Sequence, residues 1–311
     1  MTVRLHSILK LKGFVPITLT GHRDTVVGAW FVDAKTIVTV ARDASLFVWK
    51  WEERRVVSLE QLDESDDSED ERPLVLQKKR NLVFNTWQVV SAAFHTKTNM
   101  VVVGFSSGIF GLYSLPECSN LHTLSISSHR IQTVDINSSG EWLAFGSRAL
   151  GQLLVWEWQS ETYILKQQGH FYDINTLAYS PDGQVVATGA DDGKVKLWST
   201  RSGFCFVTFS QHTAAVTALA FVGKGVAVLS ASSDGTVRAF DLVRYRNFRT
   251  MTTPSPVQFM SLAADPGGEI VCAGCLEPFD IYVWSLQTGR LLDVLSGHEG
   301  PVASLDFSPR D

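Results

Sequence analysis

Three sets of a histidine, a hydroxyl residue, an aspartate and an aromatic ring stand at near-constant offsets in this chain. They are His22, Thr39, Asp43 and Trp49; His170, Thr188, Asp192 and Trp198; and His212, Ser230, Asp234 and Phe240. A hydroxyl, an imidazole and a carboxylate are the parts of a nucleophilic relay, in which the imidazole takes the hydroxyl proton and the carboxylate orients the ring. A catalytic site is needed once, whereas this set returns with a period. It therefore reads as a buried hydrogen-bonded strut, built again in each repeat to tie strands together. Phe240 has no indole N–H, so the third strut must end one bond short.

Other reactive types give weaker signals. Cys272 and Cys275 have CxxC spacing, but no second cysteine or histidine pair accompanies them, and they fall on a strand where small residues recur. Core cysteines are expected there rather than a metal or redox site. Gly223-Lys224-Gly225 lacks the GxxxxGK[ST] frame of a phosphate loop and reads as a turn between strands. Neither HExxH nor GxGxxG occurs. No enzyme activity, cofactor, metal or small-molecule substrate is expected. Arg244, Tyr245, Arg246, Phe248 and Arg249 interleave guanidinium groups with rings, a chemistry that holds phosphates while stacking bases. The same charges on an outer strand would protect an exposed edge or meet a protein, and both readings stay open.

The elements that position these groups come from a repeat. A ring closes a short apolar run at Trp49, Tyr113, Trp156, Trp198, Phe240 and Trp284, with spacings of 64, 43, 42, 42 and 44 residues. His22, His129, His170 and His212 precede their rings by 27, 27, 28 and 28 residues. Within each unit, runs of β-type alternation such as INTLAYS and VKLW are separated by turn chemistry such as Ser180-Pro181-Asp182-Gly183. Helical periodicity is absent. An all-β chain with about four strands per repeat resembles the WD-repeat β-propeller. Each repeat reads as an outer strand followed by three that move inward and back, the ring closing the third. The units at Tyr113, Trp156 and Trp284 carry Ser107, Leu150 and Pro278 where the aspartate would stand, so packing should hold those blades.

The ends of the chain look like parts of one more repeat. MTVRLHS at the start resembles DGTVRAF at 234–240, and His6 lies one period before Trp49. Gly297-His298 opens a further repeat. The expectation is about six complete four-stranded blades plus an incomplete blade split between the two termini. MTVRLHS would give it an inner-side strand, RLLDVL an outer one and PVASLDF the innermost. The strand that should join them is missing, so a fully closed, stable ring is not expected of residues 1–311. If the chain crosses a seam between two propellers, two open half-rings would result instead.

Composition sets further bounds. The 311 residues are 45% hydrophobic and 11% aromatic, enough for a large core, and no apolar run approaches the roughly 20 residues of a membrane helix. Four cysteines form no disulfide framework and suit a reducing compartment. The net charge of −5 is concentrated in residues 60–72, EQLDESDDSEDER, which carry −7 and leave the remainder at +2. Bulk nucleic-acid binding by net charge is thereby disfavoured, although local basic patches remain. The acidic run falls inside the one long spacing and reads as a disordered insertion between blades. Ser68, followed by Glu69-Asp70-Glu71, is a candidate phosphosite, and the run would serve as a spacer or as a handle for basic partners.

A closer likeness is carried by GQLLVWEWQSETYILKQQGH (151–170), YSPDGQVVATGADDGKVKLW (179–198), SGFCFVTF (202–209), SSDGTVRAFDLVRYRNFRT (232–250) and QTGRLLDVLSGHEGP (287–301). These segments resemble the periodic tryptophan protein 2 family through most of residues 85–311. Upstream the likeness is looser, although an acidic insertion at this place also fits. The resemblance implies a tandem propeller of about fourteen repeats, of which residues 1–311 would cover about half. It further implies a non-catalytic nucleolar scaffold of the UTP-B subcomplex that assembles the small-subunit processome, bringing the box C/D snoRNA particle to 5′ pre-rRNA. Its partners would be other UTP-B WD-repeat subunits, with direct snoRNA and pre-rRNA contact left open, and no membrane. A WD-repeat adaptor of another complex, such as a ubiquitin-ligase substrate receptor, would use the same fold. Excising residues 60–72 is expected to leave the β-type circular dichroism and the melting midpoint unchanged, since a blade needs none of them. An insoluble product would show that the run packs.

Overall fold

The computed structural model describes residues 2–8, 15–51, 74–82, 87–147 and 151–309; the acidic run with Ser68, and Leu150, lie outside them. A short pair, β1 (Thr2–Leu5) and β2 (Ile17–Thr20), is followed by six four-stranded antiparallel sheets. The first contains β3 (Val26–Asp33), β4 (Thr36–Ala41), β5 (Ser45–Trp51) and β6 (Leu74–Asn81). The second contains β7 (Val89–His95), β8 (Met100–Phe105), β9 (Ile109–Ser114) and β10 (Ser119–Ser125). The third has β11 (Ile131–Ile136), β12 (Trp142–Ser147), β13 (Gln152–Glu157) and β14 (Thr162–Gln168). The fourth has β15 (Ile174–Tyr179), β16 (Val185–Ala190), β17 (Val195–Ser199) and β18 (Cys205–Phe209). In the fifth are β19 (Val216–Val222), β20 (Ala227–Ser232), β21 (Val237–Asp241) and β22 (Arg246–Met251). In the sixth are β23 (Phe259–Ala264), β24 (Ile270–Cys275), β25 (Ile281–Ser285) and β26 (Leu291–Leu295).

Each sheet is one blade. The chain enters a blade on its innermost strand and moves steadily outward, then crosses from the outer strand to the innermost strand of the next blade. The expected inward-and-back path is corrected to this one. Burial follows the path: the second strand of every blade is nearly all buried, while outer strands alternate, as β18 and β22 do. All six rings lie on third strands and are buried between sheets.

Adjacent blades meet through one repeated contact. Gly104, Gly146, Gly189 and Gly274 sit on second strands, and a Cβ at any of them would run into Ile131, Ile174, Val216 or Val302 of the next innermost strand. A small residue thus leaves a notch, and an aliphatic side chain from the neighbouring blade fills it. In the fifth blade Ala231 takes the glycine's place and packs in one cluster with Phe259. The innermost strands β3, β7, β11, β15, β19 and β23 touch in sequence order. The blades therefore form a single series.

The seventh place in the series is filled from both ends of the chain. Val302 enters the notch at Gly274, and Ser261 Oγ donates to the Val302 carbonyl at 2.6 Å, as Thr217 Oγ1 donates to Phe259 at 2.8 Å one blade earlier. On the far side Asp306 accepts the Phe31 N–H at 3.0 Å, repeating the bond from the Tyr179 N–H to Asp135 at 2.8 Å. Residues 302–306 hence close the inner ring between β23 and β3. β1 and β2 pair with Val3 opposite Leu19 and Leu5 opposite Ile17, and these side chains pack on Phe31, Ile37, Phe47 and Trp49 of the first blade. Two strand assignments change as a result. RLLDVL is β26, the outer strand of the sixth blade, paired to β25. The outer strand of the seventh place is β2.

Val302→Ala is expected to lower stability by about 2 kcal/mol through lost burial and an empty notch. It should also speed hydrogen exchange at the Ala29 and Phe31 amides, which Ser304 and Asp306 hold. Exchange at those two amides unchanged from the parent would contradict closure through 302–306.

Candidate functional sites: buried struts and a basic outer edge

In the fourth blade the four predicted residues make one continuous chain. Trp198 Nε1 donates to Thr188 Oγ1 at 2.9 Å, Thr188 Oγ1 reaches His170 Nε2 at 2.9 Å, and His170 Nδ1 lies 3.2 Å from both oxygens of Asp192. The proton order is fixed by the ends: the indole only donates and the carboxylate only accepts, so Thr188 donates to Nε2 and the imidazole carries its proton on Nδ1. Asp192 is held in turn by the Lys194 N–H at 3.0 Å, across a turn in which Gly193 has φ +69°.

The fifth blade keeps two of the three links. His212 Nδ1 meets Asp234 at 2.8 Å and Ser230 Oγ meets His212 Nε2 at 2.6 Å. Phe240 has nothing to donate and stacks on Phe209 at 4.2 Å instead. The first blade adds a residue that the spacing argument missed. His22 Nε2 takes the Thr39 hydroxyl at 2.6 Å and Trp49 Nε1 donates to the same oxygen at 3.0 Å, but His22 Nδ1 meets Ser45 Oγ at 3.1 Å, and Ser45 passes the bond to Asp43 at 2.6 Å. A serine two residues past the aspartate was the available signal. Of the blades without the aspartate, Tyr113 donates to the Leu82 carbonyl at 2.7 Å and Trp284 to the Thr252 carbonyl at 3.2 Å, while Trp156 Nε1 has no acceptor among the described residues.

Electrostatics fit a structural role. Burial is the largest cause that lowers the histidines, His22 to about 4 and His170 and His212 in the same direction, each opposed by its aspartate. Neutral imidazoles result, locked between two partners with no access for a substrate.

The remaining candidates resolve by placement. Cys272 packs with Val283 and Val302, whereas Cys275 packs with Phe259 and Tyr282, on the other face of β24. A strand's alternation sends residues three apart to opposite sides, so the two thiols cannot share a metal. Burial pushes Cys272 up to about 12 and also raises Cys275. Gly223–Gly225 is a short 3-10 turn joining β19 to β20. Arg244 and Tyr245 form the turn into the outer strand β22, which holds Arg246, Phe248 and Arg249. Phe206, Tyr245 and Phe248 are exposed there, and Phe206 meets Tyr245 edge-on at 6.1 Å. Arg249 is already engaged, donating to the Gln287 carbonyl of the sixth blade.

Four-stranded blades in sequence, carrying this strut, define a WD-repeat β-propeller. The WD domain, G-beta repeat model matches residues 161–199 and 203–241, each match running from an outer strand to the ring strand of the next blade. The chain is 45% identical to periodic tryptophan protein 2 of Arabidopsis thaliana over 99% of its own length and 41% of that protein. It is 54% identical to the Neurospora crassa homolog over 99% of its length and 34% of the relative. A pre-rRNA-processing protein IPI3 from Meyerozyma guilliermondii is 29% identical over 58% of this chain and 43% of the relative. The chain belongs to the periodic tryptophan protein 2 family. It spans between a third and about two fifths of those two family members' lengths, rather than the half that the resemblance suggested.

Thr188→Val is expected to cost about 2–4 kcal/mol, because it strands both the Trp198 N–H and His170 Nε2. Ser230→Ala should cost roughly half of that, because only His212 loses a partner. Equal costs in chemical denaturation would contradict the strut. A pH series gives a second check. Histidines lowered below 6.5 contribute stability that is fully present above 6.5 and is lost as pH falls below it, for His22 down to about 4. Asp135, raised to about 6 by burial, works the other way, since the folded chain takes its proton first as pH falls through 6. The melting midpoint should fall between pH 7 and 5, and Asp135→Asn should steepen that fall. A shallower fall in the variant would contradict the assignment.

Proposed function

We infer that this chain is a propeller module of a non-catalytic scaffold in ribosome biogenesis. One observation carries the inference: identity near one half extends over 99% of the chain to relatives named periodic tryptophan protein 2. The name of the more distant relative, a pre-rRNA-processing protein, supports the same field of action. The three His–hydroxyl–Asp sets are consumed by the fold, which favours assembly over chemistry.

The finer reading follows the family. The parent protein acts in the nucleolus as part of the UTP-B subcomplex, contacts other WD-repeat subunits and helps join the box C/D snoRNA particle to 5′ pre-rRNA in the small-subunit processome. The edge at 244–249 contributes a protein contact. Arg249 is committed to the sixth blade and Arg244 pairs with Asp241 at 3.9 Å, which leaves Arg246 beside Tyr245 and Phe248 for a partner. The acidic run 60–72 offers basic partners a handle.

Affinity purification of the full-length protein, with identification of co-purifying proteins and RNAs, tests this. WD-repeat processome subunits with box C/D snoRNA and pre-rRNA are expected. Recovery of ubiquitin-ligase subunits without RNA would overturn it in favour of an unrelated adaptor.

A further inference from the structure

The turn from the third strand to the outer strand is built alike in five blades. Four residues after the third strand ends, the chain takes a left-handed conformation: Cys118 at φ 57°, Glu161 at 55°, Gly203 at 75°, Tyr245 at 50° and Gly289 at 73°. Such a φ suits glycine and crowds the Cβ of any other residue, most of all a bulky one. In two blades glycine also makes room, since a Cβ at Gly203 would meet Leu165 and one at Gly289 would meet Arg249. Cys118 and Glu161 find local partners: Cys118 Sγ donates to the Pro116 carbonyl, and Glu161 lies 3.8 Å from His122. Tyr245 differs from all four. A large ring is held in the conformation least suited to it, and it is half exposed.

The fold takes little from this ring. Its aromatic neighbour is Phe206 of β18, which is itself 45% exposed, so the pair displays apolar surface rather than filling a core. The same corner of the fourth and fifth blades carries Phe204, Val226, Val243 and Phe248, all exposed, Phe204 at 71% and Val243 at 77%. The Leu242 N–H donates to the Val226 carbonyl at 3.0 Å, which sets Val226 beside the turn that holds Val243 and Tyr245. Backbone strain kept at a residue that the core does not use, inside an exposed apolar patch, marks a working surface.

The rim gives the sign of the partner's charge. Residues 199–210 and 241–251 hold Arg201, Arg244, Arg246 and Arg249 against one acid, Asp241. Asp241 lies 3.9 Å from Arg244 and opposite Arg246 in register, and Arg249 donates to the Gln287 carbonyl. Positive charge remains in excess, with Arg201 exposed in the fourth-blade turn. Exposed valines neither stack on bases nor hold phosphates, so an apolar centre with a basic rim fits a protein segment better than a nucleic acid.

We propose that this corner is a docking site for an acidic segment of a partner protein. One or two large apolar residues of the segment pack on Tyr245, Phe206 and Val243, and flanking Asp or Glu side chains meet Arg201 and Arg246. The inference rests on the reading of 244–249 as a protein contact. It adds to that reading the apolar anchors of the fourth blade and the charge of the occupant.

The test compares the full-length protein with its Tyr245→Gly and Phe206→Ser variants. Glycine is what the fourth and sixth blades use at this position, so Tyr245→Gly is expected to melt at or above the parent temperature. A clear fall in its melting midpoint would show that the core uses the ring and would overturn the argument. Random dodecapeptides displayed on phage are selected on the parent. Enriched sequences are expected to pair a large apolar residue with Asp or Glu, and a fluorescent copy of one should bind about tenfold more weakly to either variant. Replacing its acids by amides, or raising the salt, should weaken it as well. Failure to enrich, enrichment of neutral or basic peptides, or equal binding to parent and variants would overturn the proposal. So would single-stranded oligouridylate that binds the parent and is lost in Tyr245→Gly, since the corner would then be an RNA contact. No cellular partner enters the selection, so its result is independent of the affinity purification that tests the scaffold assignment.

Discussion

The contact on which the ring depends is an aliphatic side chain set into a notch one blade away. Four of the notches are glycines whose absent Cβ is replaced by Ile131, Ile174, Val216 and Val302. Close approach at this point sets the spacing of the innermost strands, and everything further out fans from it. The constraint is strict because interiors are packed to crystal density: one methyl group at Gly189 would meet Val216 well inside contact distance. It is also local, so blades can vary elsewhere. Three of them lack the aspartate of the strut and still keep their place in the series.

The struts come second in this hierarchy. Each links the loop before an innermost strand to the second and third strands of the same blade, which fixes how the sheet meets its connecting loop. The fourth blade has the whole chain of bonds, the fifth lacks its indole end, and the first inserts Ser45. That variation is what a structural network tolerates and a catalytic one does not. A relay in a reaction needs one geometry, whereas a strut needs only that its buried polar groups find partners.

Much of this was readable in the residues. The ring period gave six blades, and the offsets gave the strut, including the missing bond at Phe240. Strand identity at the ends was harder, because LLDVL and ITLT have the same alternation and differ only in which neighbour pairs with them. Period alone cannot say whether an outer strand closes the blade before it or opens the repeat after it. Ser45 was missed because an i+2 serine beside an aspartate also suits an ordinary turn. The notch glycines were visible only as a column of small residues, and their meaning required the neighbouring blade.

Joining the two ends of the chain at one place is the central consequence, since it makes a single ring out of six blades and two fragments. His6 and His298 report on it directly. They stand 292 positions apart in the sequence, yet their rings are tilted against each other at 5.6 Å between centroids. With selectively labelled histidine, a nuclear Overhauser contact between the ring protons of His6 and His298 is predicted, disappearing in His6→Ala. Assigned resonances for both rings with no contact between them, in a chain whose six blades are folded, would contradict the account.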